Sequence, residues 1–364
     1  MILKNTDIKK FNELMKNREI ICFGAGEQLE FFCKCCSVVS QIKYIIDNNP
    51  NKWNNVIEIA GQKKEILPPK QLSYLLNDRS TIVITTGLTG VEIIQQLKNM
   101  NLPEKQDVFW SFFIFSEIQS LKSMFYRPLN NIKITKKQII PKVIHYCWIG
   151  NNPIPKEHQR YIDGWKRLCP DYKIICWNEK NYDIGKNQYM KQAYEAKKWG
   201  FVPDYIRKDV IYEYGGIYLD TDVEMIKRPD DLLYQNGFCS IGRIGNVNFG
   251  SGYGAIKGLP IIKDLRDIYN DKIFEFKKGM KIGPHFETEV FERYGFKKDF
   301  NRQIIGEITV YPCDVLSIHI PHSNKSFITE NTYTVHHFAN SWVDKNDINK
   351  KIDARELYNL FERV

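Results

Sequence analysis

The 364-residue sequence lacks any long apolar stretch, because no uninterrupted run of apolar residues is longer than four. A helix that spans a bilayer needs about 20 such residues, so a transmembrane anchor is not expected. The N-terminal residues carry charges where a secretory signal would need an apolar core, which predicts a cytoplasmic protein. The nine cysteines, an odd number, then indicate reduced thiols and not a disulfide framework.

The sequence also has no strong excess of charge. Its 52 Lys and Arg residues exceed its 43 Asp and Glu residues to give a net charge of +9. No basic cluster with interleaved aromatic residues is present, so nucleic acid is not an expected partner. A mild positive balance is compatible with a diphosphate ligand or with an anionic membrane surface. The composition, 43% hydrophobic and 13% aromatic, supplies enough apolar material for sizeable cores, and the length favours two domains.

The first part of the chain alternates short apolar runs with helical patterns. This alternation predicts a parallel, doubly wound sheet, as in Rossmann-like domains. We therefore predict an α/β protein with a Rossmann-like domain at 1–130, a polar linker at 131–138 and a second α/β domain at 139–364. The predicted strands of the first domain are Glu19–Phe23, Ile42–Ile46 and Thr81–Thr85.

Gly24 and Gly26 follow the first of these strands and precede a helical pattern. Such a turn can hold a phosphate at a helix N-terminus, and Asp47, 21 residues after Gly26, is placed to bond a ribose hydroxyl. Leu29 stands where the dinucleotide fingerprint has its third glycine. Two interpretations stay open, a nucleotide-binding turn and a tight strand-to-helix turn that binds nothing tightly. The segment resembles Rossmann-like sugar-nucleotide-associated domains of bacterial surface-polysaccharide enzymes.

The most informative stretch runs from Val202 to Asp222. Its first half predicts a helix, because apolar residues recur every four positions and define a buried face. Asp204 and Arg207 lie three apart on another face, where they can pair or hold a ligand together. Gly215–Gly216 then ends the helix, since glycine accepts the positive φ that helix C-termini require. The apolar positions of the helix are Val202, Ile206, Val210 and Tyr214.

A strand is predicted over Ile217–Asp222. Its period of two places Tyr218, Asp220 and Asp222 on one side. Two carboxylates at the exit of a buried strand repel each other, so we expect a cation between them. Carboxylate oxygens suit Mn²⁺ or Mg²⁺, and either ion binds phosphate oxygens.

Three segments together resemble glycosyltransferase family 32, whose sugar-binding region contains the Asp-x-Asp (DXD) motif. They are Pro141–Gly150, Val202–Asp222 and Val335–Trp342, which occur in the family's order. The resemblance implies a GT-A fold for the second domain, a nucleotide-sugar donor and a divalent cation, usually Mn²⁺. It also implies that the transferred sugar keeps its anomeric configuration.

The same resemblance implies roles for single residues. Asp204, Arg207, Asp220 and Asp222 would form the catalytic set. Trp148 would stack on the nucleobase, while Asp204 and Arg207 would hold the sugar ring. Tyr218 and Asp220 would meet the ribose and the sugar or metal edge, and Asp222 would bind the cation directly.

Further residues complete the implied site. His336 would be an additional metal ligand, with His337 as the alternative because the two face opposite ways in an extended segment. Ser341 and Trp342 would donate hydrogen bonds to the diphosphate. Asn248 lies in a glycine-rich segment near the transferred sugar, and Lys281–Pro284 is expected at the acceptor cleft.

The expected activity is transfer of a hexose-type sugar, from a UDP-sugar by preference, to a surface polysaccharide or glycolipid such as capsule or lipopolysaccharide. Peripheral contact with the inner face of the cell membrane would suit that acceptor. One alternative is a haloacid-type Mg²⁺ phosphatase, although Glu224 stands where that class has Thr or Val. A second alternative is a nucleotide-sugar-binding protein without turnover.

Overall fold

The computed structural model describes residues 1–130, 132–276, 281–320, 322–339 and 354–364. Within these ranges the chain forms two compact units. The first contains residues 1–124, 322–324 and 354–364, and the second contains residues 125–320 and 325–339.

The first unit is built on a sheet with the strand order β20-β1-β7-β6-β2-β3-β5-β4. All neighbouring strands are parallel except the antiparallel pair β4–β5. The central strands β2 and β6 are buried over almost their whole length, as is usual in a parallel sheet with helices on both faces. The strands are β1 (Ile2–Asn5), β2 (Glu19–Phe23), β3 (Ile42–Ile46), β4 (Val56–Ile59), β5 (Gln62–Leu67), β6 (Ser80–Ile84), β7 (Asp107–Trp110) and β20 (Glu362–Arg363).

Helices connect these strands. The Asp7 side chain caps the first helix by accepting hydrogen bonds from the backbone N–H groups of Lys9 and Lys10. The helices are α1 (Ile8–Met15), α2 (Glu27–Cys35), α3 (Leu72–Leu75), α4 (Gly90–Lys98), α5 (Ser111–Ile114) and α6 (Ile118–Phe125). Short 3-10 helices lie at Val39–Gln41, Pro50–Lys52 and Pro69–Gln71.

The glycine turn after β2 is held from inside the protein. Gly24 has a φ of +120°, and a Cβ there would lie 2.3 Å from the Thr86 side chain. Asp47 accepts hydrogen bonds from the backbone N–H of Ala25 at 2.8 Å and from the Nζ of Lys52 at 3.1 Å. This pattern favours the interpretation of a structural strand-to-helix turn, because the Asp47 carboxylate is used within the turn itself.

The second unit contains two sheets. The larger has the order β15-β16-β12-β14-β10-β8-β9, with β13 paired to β12, and the smaller has the order β11-β19-β17-β18. β10, β8 and β9 are parallel, whereas β14 is antiparallel to both of its neighbours. The strands are β8 (Val143–Cys147), β9 (Lys173–Trp177), β10 (Gly216–Tyr218), β11 (Val223–Met225), β12 (Gly237–Ile241), β13 (Val247–Asn248), β14 (Tyr253–Ala255), β15 (Gln303–Ile305), β16 (Ile308–Tyr311), β17 (Leu316–Ile320), β18 (Lys325–Ser326) and β19 (Thr334–His336).

Helix α9 packs on β8, β10 and β14 of the larger sheet, whereas α7 packs on β11 of the smaller sheet. Ile217 and Leu219 belong to one buried apolar cluster and Tyr218 belongs to another, so the strand alternates between two cores. The helices are α7 (Lys156–Leu168), α8 (Gln188–Glu195), α9 (Pro203–Tyr214), α10 (Pro260–Asp267) and α11 (Gly283–Arg293). Short 3-10 helices lie at Ile184–Lys186, Trp199–Phe201 and Asp230–Leu233.

These sheet orders confirm the predicted fold class, an α/β protein with a parallel sheet in the first unit and sheets with parallel strands in the second. The boundaries differ from the predicted 1–130, 131–138 and 139–364. Described residues of the predicted linker belong to the second unit, where Ile134 and Thr135 donate backbone hydrogen bonds to the carbonyl of Tyr234. The C-terminal strand β20 belongs to the first sheet instead of the second domain, because it pairs with β1.

Within the described ranges, none of the helices combines the length and the apolar character needed to cross a bilayer.

Candidate active site

Two consecutive glycines bring the end of α9 close to the central strands of the larger sheet. Gly215 has a φ of +68° and Gly216 a φ of +109°, a region that favours glycine. A Cβ on Gly216 would lie 2.7 Å from the backbone oxygen of Val143 in β8. The two glycines therefore allow β10 to start directly beside β8. Their positive φ values agree with the helix end predicted at Gly215–Gly216.

The strand predicted over Ile217–Asp222 is shorter in the structure. β10 ends at Tyr218, and Thr221 and Asp222 form a turn before β11. The backbone N–H of Val223 donates to the oxygen of Asp220 at 3.1 Å, which closes this turn. The prediction of a strand through Asp222 was wrong, because this turn directs the chain from the larger sheet into the smaller one. The alternation of side chains between two faces therefore does not extend to Asp222.

Helix α9 is also more buried than the single apolar face predicted. All residues from Asp204 to Ile211 are buried, whereas Tyr214, predicted to lie on the buried face, is 58% exposed. The charged side chains of this helix therefore point into the protein. Asp204 and Arg207 pair at 3.2 Å between Oδ1 and Nη2, as their spacing predicted.

Asp220, Asp222 and His336 form a cluster able to hold a metal ion. One ligand atom from each lies within 4.8 Å of the others. The Nε2 of His336 is 3.2 Å from the Oδ1 of Asp222, and the backbone N–H of Ala339 donates to the other carboxylate oxygen at 2.8 Å. The smaller sheet makes this contact possible, since β11 and β19 pair with Val223 opposite His336.

Burial and charge perturb these groups in different directions. Burial raises the pKa of Asp204 and of Asp220 above the usual value for Asp. Burial also opposes ionisation of Asp222, but the neighbouring charge of His336 holds the pKa of Asp222 below its usual range. Burial alone would lower the pKa of His336, whereas the Asp222 carboxylate raises it above the usual value for His.

Arg207 lies between two carboxylates. Its Nη1 is 3.5 Å from the Oδ2 of Asp220, in addition to its contact with Asp204. The Tyr218 ring supports the guanidinium at 5.3 Å and is only 1% exposed. The Tyr218 ring therefore contacts Arg207, and its contact with a ribose stays a prediction.

The charges of this cluster fit a divalent cation. Three carboxylates (Asp204, Asp220 and Asp222) and one guanidinium (Arg207) leave two negative charges when His336 is neutral. Carboxylate oxygens are ligands for Mg²⁺ and Mn²⁺, and imidazole is a ligand for transition metals. This ligand set therefore matches the expected Mn²⁺ well, with Mg²⁺ as the alternative.

Asn248 lies beside this cluster, as the last residue of β13 before a loop. Its Oδ1 accepts from the backbone N–H of Gly250 at 3.1 Å, and its Nδ2 donates to the Oγ of Ser251 at 2.8 Å. A Cβ on Gly250 would lie 3.0 Å from the Oδ2 of Asp220. The loop backbone therefore packs directly against a candidate metal ligand.

Trp148 is half-buried and lies one side chain away from the turn. Its ring meets His158 edge-on with 5.9 Å between ring centroids, and the Nδ1 of His158 lies 2.9 Å from the Oγ1 of Thr221. The indole N–H donates to the backbone oxygen of Asn152 at 2.5 Å. Trp148, which is predicted to stack on the nucleobase, is therefore connected to the turn at Thr221–Asp222 through the side chain of His158.

The structure separates the two candidate histidines. The Nε2 of His337 lies 2.9 Å from the Oε2 of Glu224, and its ring stacks on Tyr161 with 4.8 Å between centroids. His336 is the histidine in the cluster with Asp220 and Asp222. Ser341 and Trp342 lie outside the described residues.

Sequence reasoning missed several residues that contact the cluster. Ser251 approaches the Nδ1 of His336 at 3.4 Å, and His158 contacts Thr221. The segment Lys281–Pro284, in contrast, was singled out from the sequence, and it does reach Asp204, since a Cβ on Gly283 would be 3.1 Å from that carboxylate. No local spacing pattern relates these residues, because the contacts join positions far apart in the chain.

Comparison with known proteins bears on the same segment. Residues 155–239 match the sequence model of the family described as "Glycosyltransferase sugar-binding region containing DXD motif". This range covers the Asp204–Arg207 pair and both aspartates of the turn. Residues 155–239 of the second unit are therefore similar to the sugar-binding region of this family, and the family resemblance drawn from the sequence is confirmed.

Curated relatives are named as mannosyltransferases. Inositol phosphoceramide mannosyltransferase 2 of Schizosaccharomyces pombe is 26% identical over 182 residues, which cover 47% of this chain and 41% of that protein. Inositol phosphoceramide mannosyltransferase 3 of the same organism is 32% identical over 103 residues, 26% of this chain and 28% of that protein. The chain thus spans less than half of the length of these relatives.

A solved structure, the PaToxG glycosyltransferase, aligns at 17% identity with a TM-score of 0.37, covering 48% of this chain and 74% of that chain. The fold assignment rests on the sheet orders given above.

Proposed function

We propose that this protein is a metal-dependent, retaining glycosyltransferase that moves a hexose from a nucleotide sugar to an acceptor hydroxyl. The observation that carries the proposal is the convergence of Asp220, Asp222 and His336 on one point, with Arg207 bridging to Asp204. Mn²⁺, when bound, supplies positive charge that stabilises a departing diphosphate. The family match over residues 155–239 supports the same reaction class.

The chemistry assigns a separate task to each group. The bond between the anomeric carbon and the diphosphate oxygen breaks, and its electron pair stays with the diphosphate. The acceptor oxygen bonds to the anomeric carbon from the same face, and its proton passes to a donor phosphate oxygen. Asp220, Asp222 and His336 would hold the cation, while the buried Asp204 carboxylate would offer oxygen atoms to sugar hydroxyls and favour positive charge on the ring.

The relatives guide the choice of substrates. Because several are named as inositol phosphoceramide mannosyltransferases, mannose joins the hexoses to be tested, and a glycolipid acceptor is preferred over the capsule or lipopolysaccharide first expected. UDP-sugars remain part of the proposal. A cytoplasmic location with peripheral contact to the membrane is proposed on the basis of the sequence.

The test is donor turnover by the purified full-length chain with UDP-glucose, UDP-galactose, UDP-N-acetylglucosamine and GDP-mannose, with Mn²⁺ or with EDTA. We expect Mn²⁺-dependent release of nucleotide diphosphate from one donor. Asp222→Asn and His336→Gln should each reduce it about 100-fold or more, since each removes an electrostatic contact to the reacting groups. His337→Gln should cost less than His336→Gln.

The matched control is Asp163→Asn, which changes a half-buried aspartate on α7 that pairs with Lys166. This variant should keep the activity of the original chain, and thermal unfolding should show that all variants fold. Full turnover in EDTA would contradict the metal role. A phosphoaspartate on Asp220 would support the phosphatase instead, and tight donor binding without turnover would support the binding protein.

A further inference from the structure

A buried ion pair joins two helices behind the candidate site. The Nζ of Lys208 on α9 is 2.8 Å from the Oε1 of Glu287 on α11, and the two side chains are 0% and 2% exposed. A fully buried pair contributes little net stability, because removing two charges from water offsets most of their attraction. Its position therefore calls for another explanation, and the contacts of its second oxygen provide one.

The second oxygen of Glu287 holds the edge of β13. Its Oε2 accepts from the backbone N–H of Phe249 at 3.1 Å, and the Oγ1 of the next residue, Thr288, accepts from the backbone N–H of Val247 at 3.0 Å. The other edge of β13 pairs with β12. Side chains of α11 thus satisfy the donors that this short strand directs away from the sheet.

The residues 248–251, which we name the clamp loop, connect this edge to the metal cluster. Asn248 donates to the Oγ of Ser251, and that oxygen lies 3.4 Å from the Nδ1 of His336. A bound cation needs the lone pair of Nε2, and the tautomer that offers it carries its proton on Nδ1, where the Ser251 oxygen can accept it. The clamp loop thus places a hydroxyl oxygen beside the Nδ1 of His336, while the Nε2 of the same ring faces Asp222.

We propose that Glu287, held in place by Lys208, is a positioning residue for the metal site and acts through the clamp loop. The inference rests on the proposed function, because it concerns the same cation. Lys208 follows Arg207 on α9, so one ion pair sets the clamp loop relative to the helix that carries Asp204 and Arg207. Removing the Glu287 acceptor from the N–H of Phe249 should weaken Mn²⁺ binding without removing a ligand.

Two double variants isolate this effect. Lys208→Met with Glu287→Gln removes both charges but keeps an acceptor for the N–H of Phe249. Lys208→Met with Glu287→Met has the same charge and similar volume but offers no acceptor. Only the second double variant removes the hydrogen bond to Phe249 and should release the clamp loop. Comparing the two variants therefore separates the effect of this hydrogen bond from the effect of the buried charges.

The measurement is the dissociation constant of MnCl₂ alone, by calorimetry and by electron paramagnetic resonance of free Mn²⁺, with metal-free thermal unfolding as the folding control. We expect the Met/Met variant and Ser251→Ala to bind Mn²⁺ about 10- to 100-fold more weakly than the original chain, as for other residues that orient metal ligands. The Met/Gln variant should stay within a few-fold of the original chain. In turnover assays, the KM for Mn²⁺ should rise more than kcat falls.

Equal Mn²⁺ affinity in the two folded double variants would overturn the role of Glu287. If the Met/Met variant does not fold, Ser251→Ala decides, because unchanged affinity there would show that the clamp loop does not orient His336. Failure of the original chain to bind Mn²⁺ would refute the metal-dependent function itself, and this inference with it. Normal binding by the original chain together with unchanged variants would refute only this inference.

Discussion

Replacing His145 should change how the stability of the second unit depends on pH. His145 lies on β8 with 0% exposure, and its Nδ1 accepts a hydrogen bond from the indole N–H of Trp177 at 3.0 Å. Its Nε2 lies 2.9 Å from the backbone oxygen of Gly215. Because the indole can only donate, the proton of the neutral ring sits on Nε2 and is donated to that oxygen.

The magnitude follows from the pKa of this group. Burial lowers the pKa of His145 from 6.5 to about 4, although the Gly215 carbonyl opposes the shift. The neutral form is thus favoured by folding, so the stabilisation is present above the unfolded pKa and is lost as the pH falls toward the folded pKa. Between pH 7 and pH 5, the two pKa values give a loss of about 2 kcal/mol in the free energy of unfolding.

The assay compares the original chain with His145→Gln by urea unfolding at pH 7, 6 and 5, followed by tryptophan fluorescence. Glutamine does not titrate but keeps one acceptor and a donor, so this variant should lose about 2 kcal/mol less than the original chain between pH 7 and 5. The backbone oxygen of His145 also accepts from the N–H of Leu219, just before the aspartate turn. Parallel pH curves for the two proteins would refute the reasoning.

Two further substitutions test the packing of the site and of the glycine turn. Gly250→Ala should reduce donor turnover by up to about 100-fold, because its Cβ would displace the Asp220 carboxylate. The control is Gly87→Ala, whose Cβ would meet nothing within 4 Å. Equal turnover in both variants would contradict the packing of Gly250 against Asp220. Asp47→Ala should lower the free energy of unfolding of the first unit by about 2 kcal/mol, since it leaves the N–H of Ala25 without this acceptor. Unchanged stability in denaturant unfolding would show that the turn does not depend on the carboxylate.

The central strands of the first sheet could be predicted from the sequence almost residue by residue. β2 and β3 have the predicted bounds, and β6 is displaced by one residue. Each is a short apolar run bounded by polar residues or glycine, and burial on both faces selects such runs. β20 could not be predicted, because two charged residues carry no pattern and only the pairing with β1 defines them as a strand.

The candidate site was predictable in its residue types but not in its supporting contacts. The pairing of Asp204 with Arg207 follows from helical spacing alone. The contacts of Glu287 with Lys208 and Phe249 depend on how α11 packs, which no periodicity encodes. Local rules therefore identify the side chains that carry chemistry, whereas tertiary packing determines which others hold them.

The choice between His336 and His337 shows how sheet register selects a ligand. Val223 pairs with His336, and the backbone N–H of His337 donates to the oxygen of Asp222 at 3.0 Å. Successive side chains on an extended segment point to opposite faces, so a slip of one residue would exchange the two imidazoles. The turn at Thr221–Asp222 places the Asp222 carboxylate on the His336 side, while Glu224 within the strand meets His337. The early end of β10 is therefore what allows Asp222 and His336, more than 100 residues apart in the chain, to lie 3.2 Å from each other.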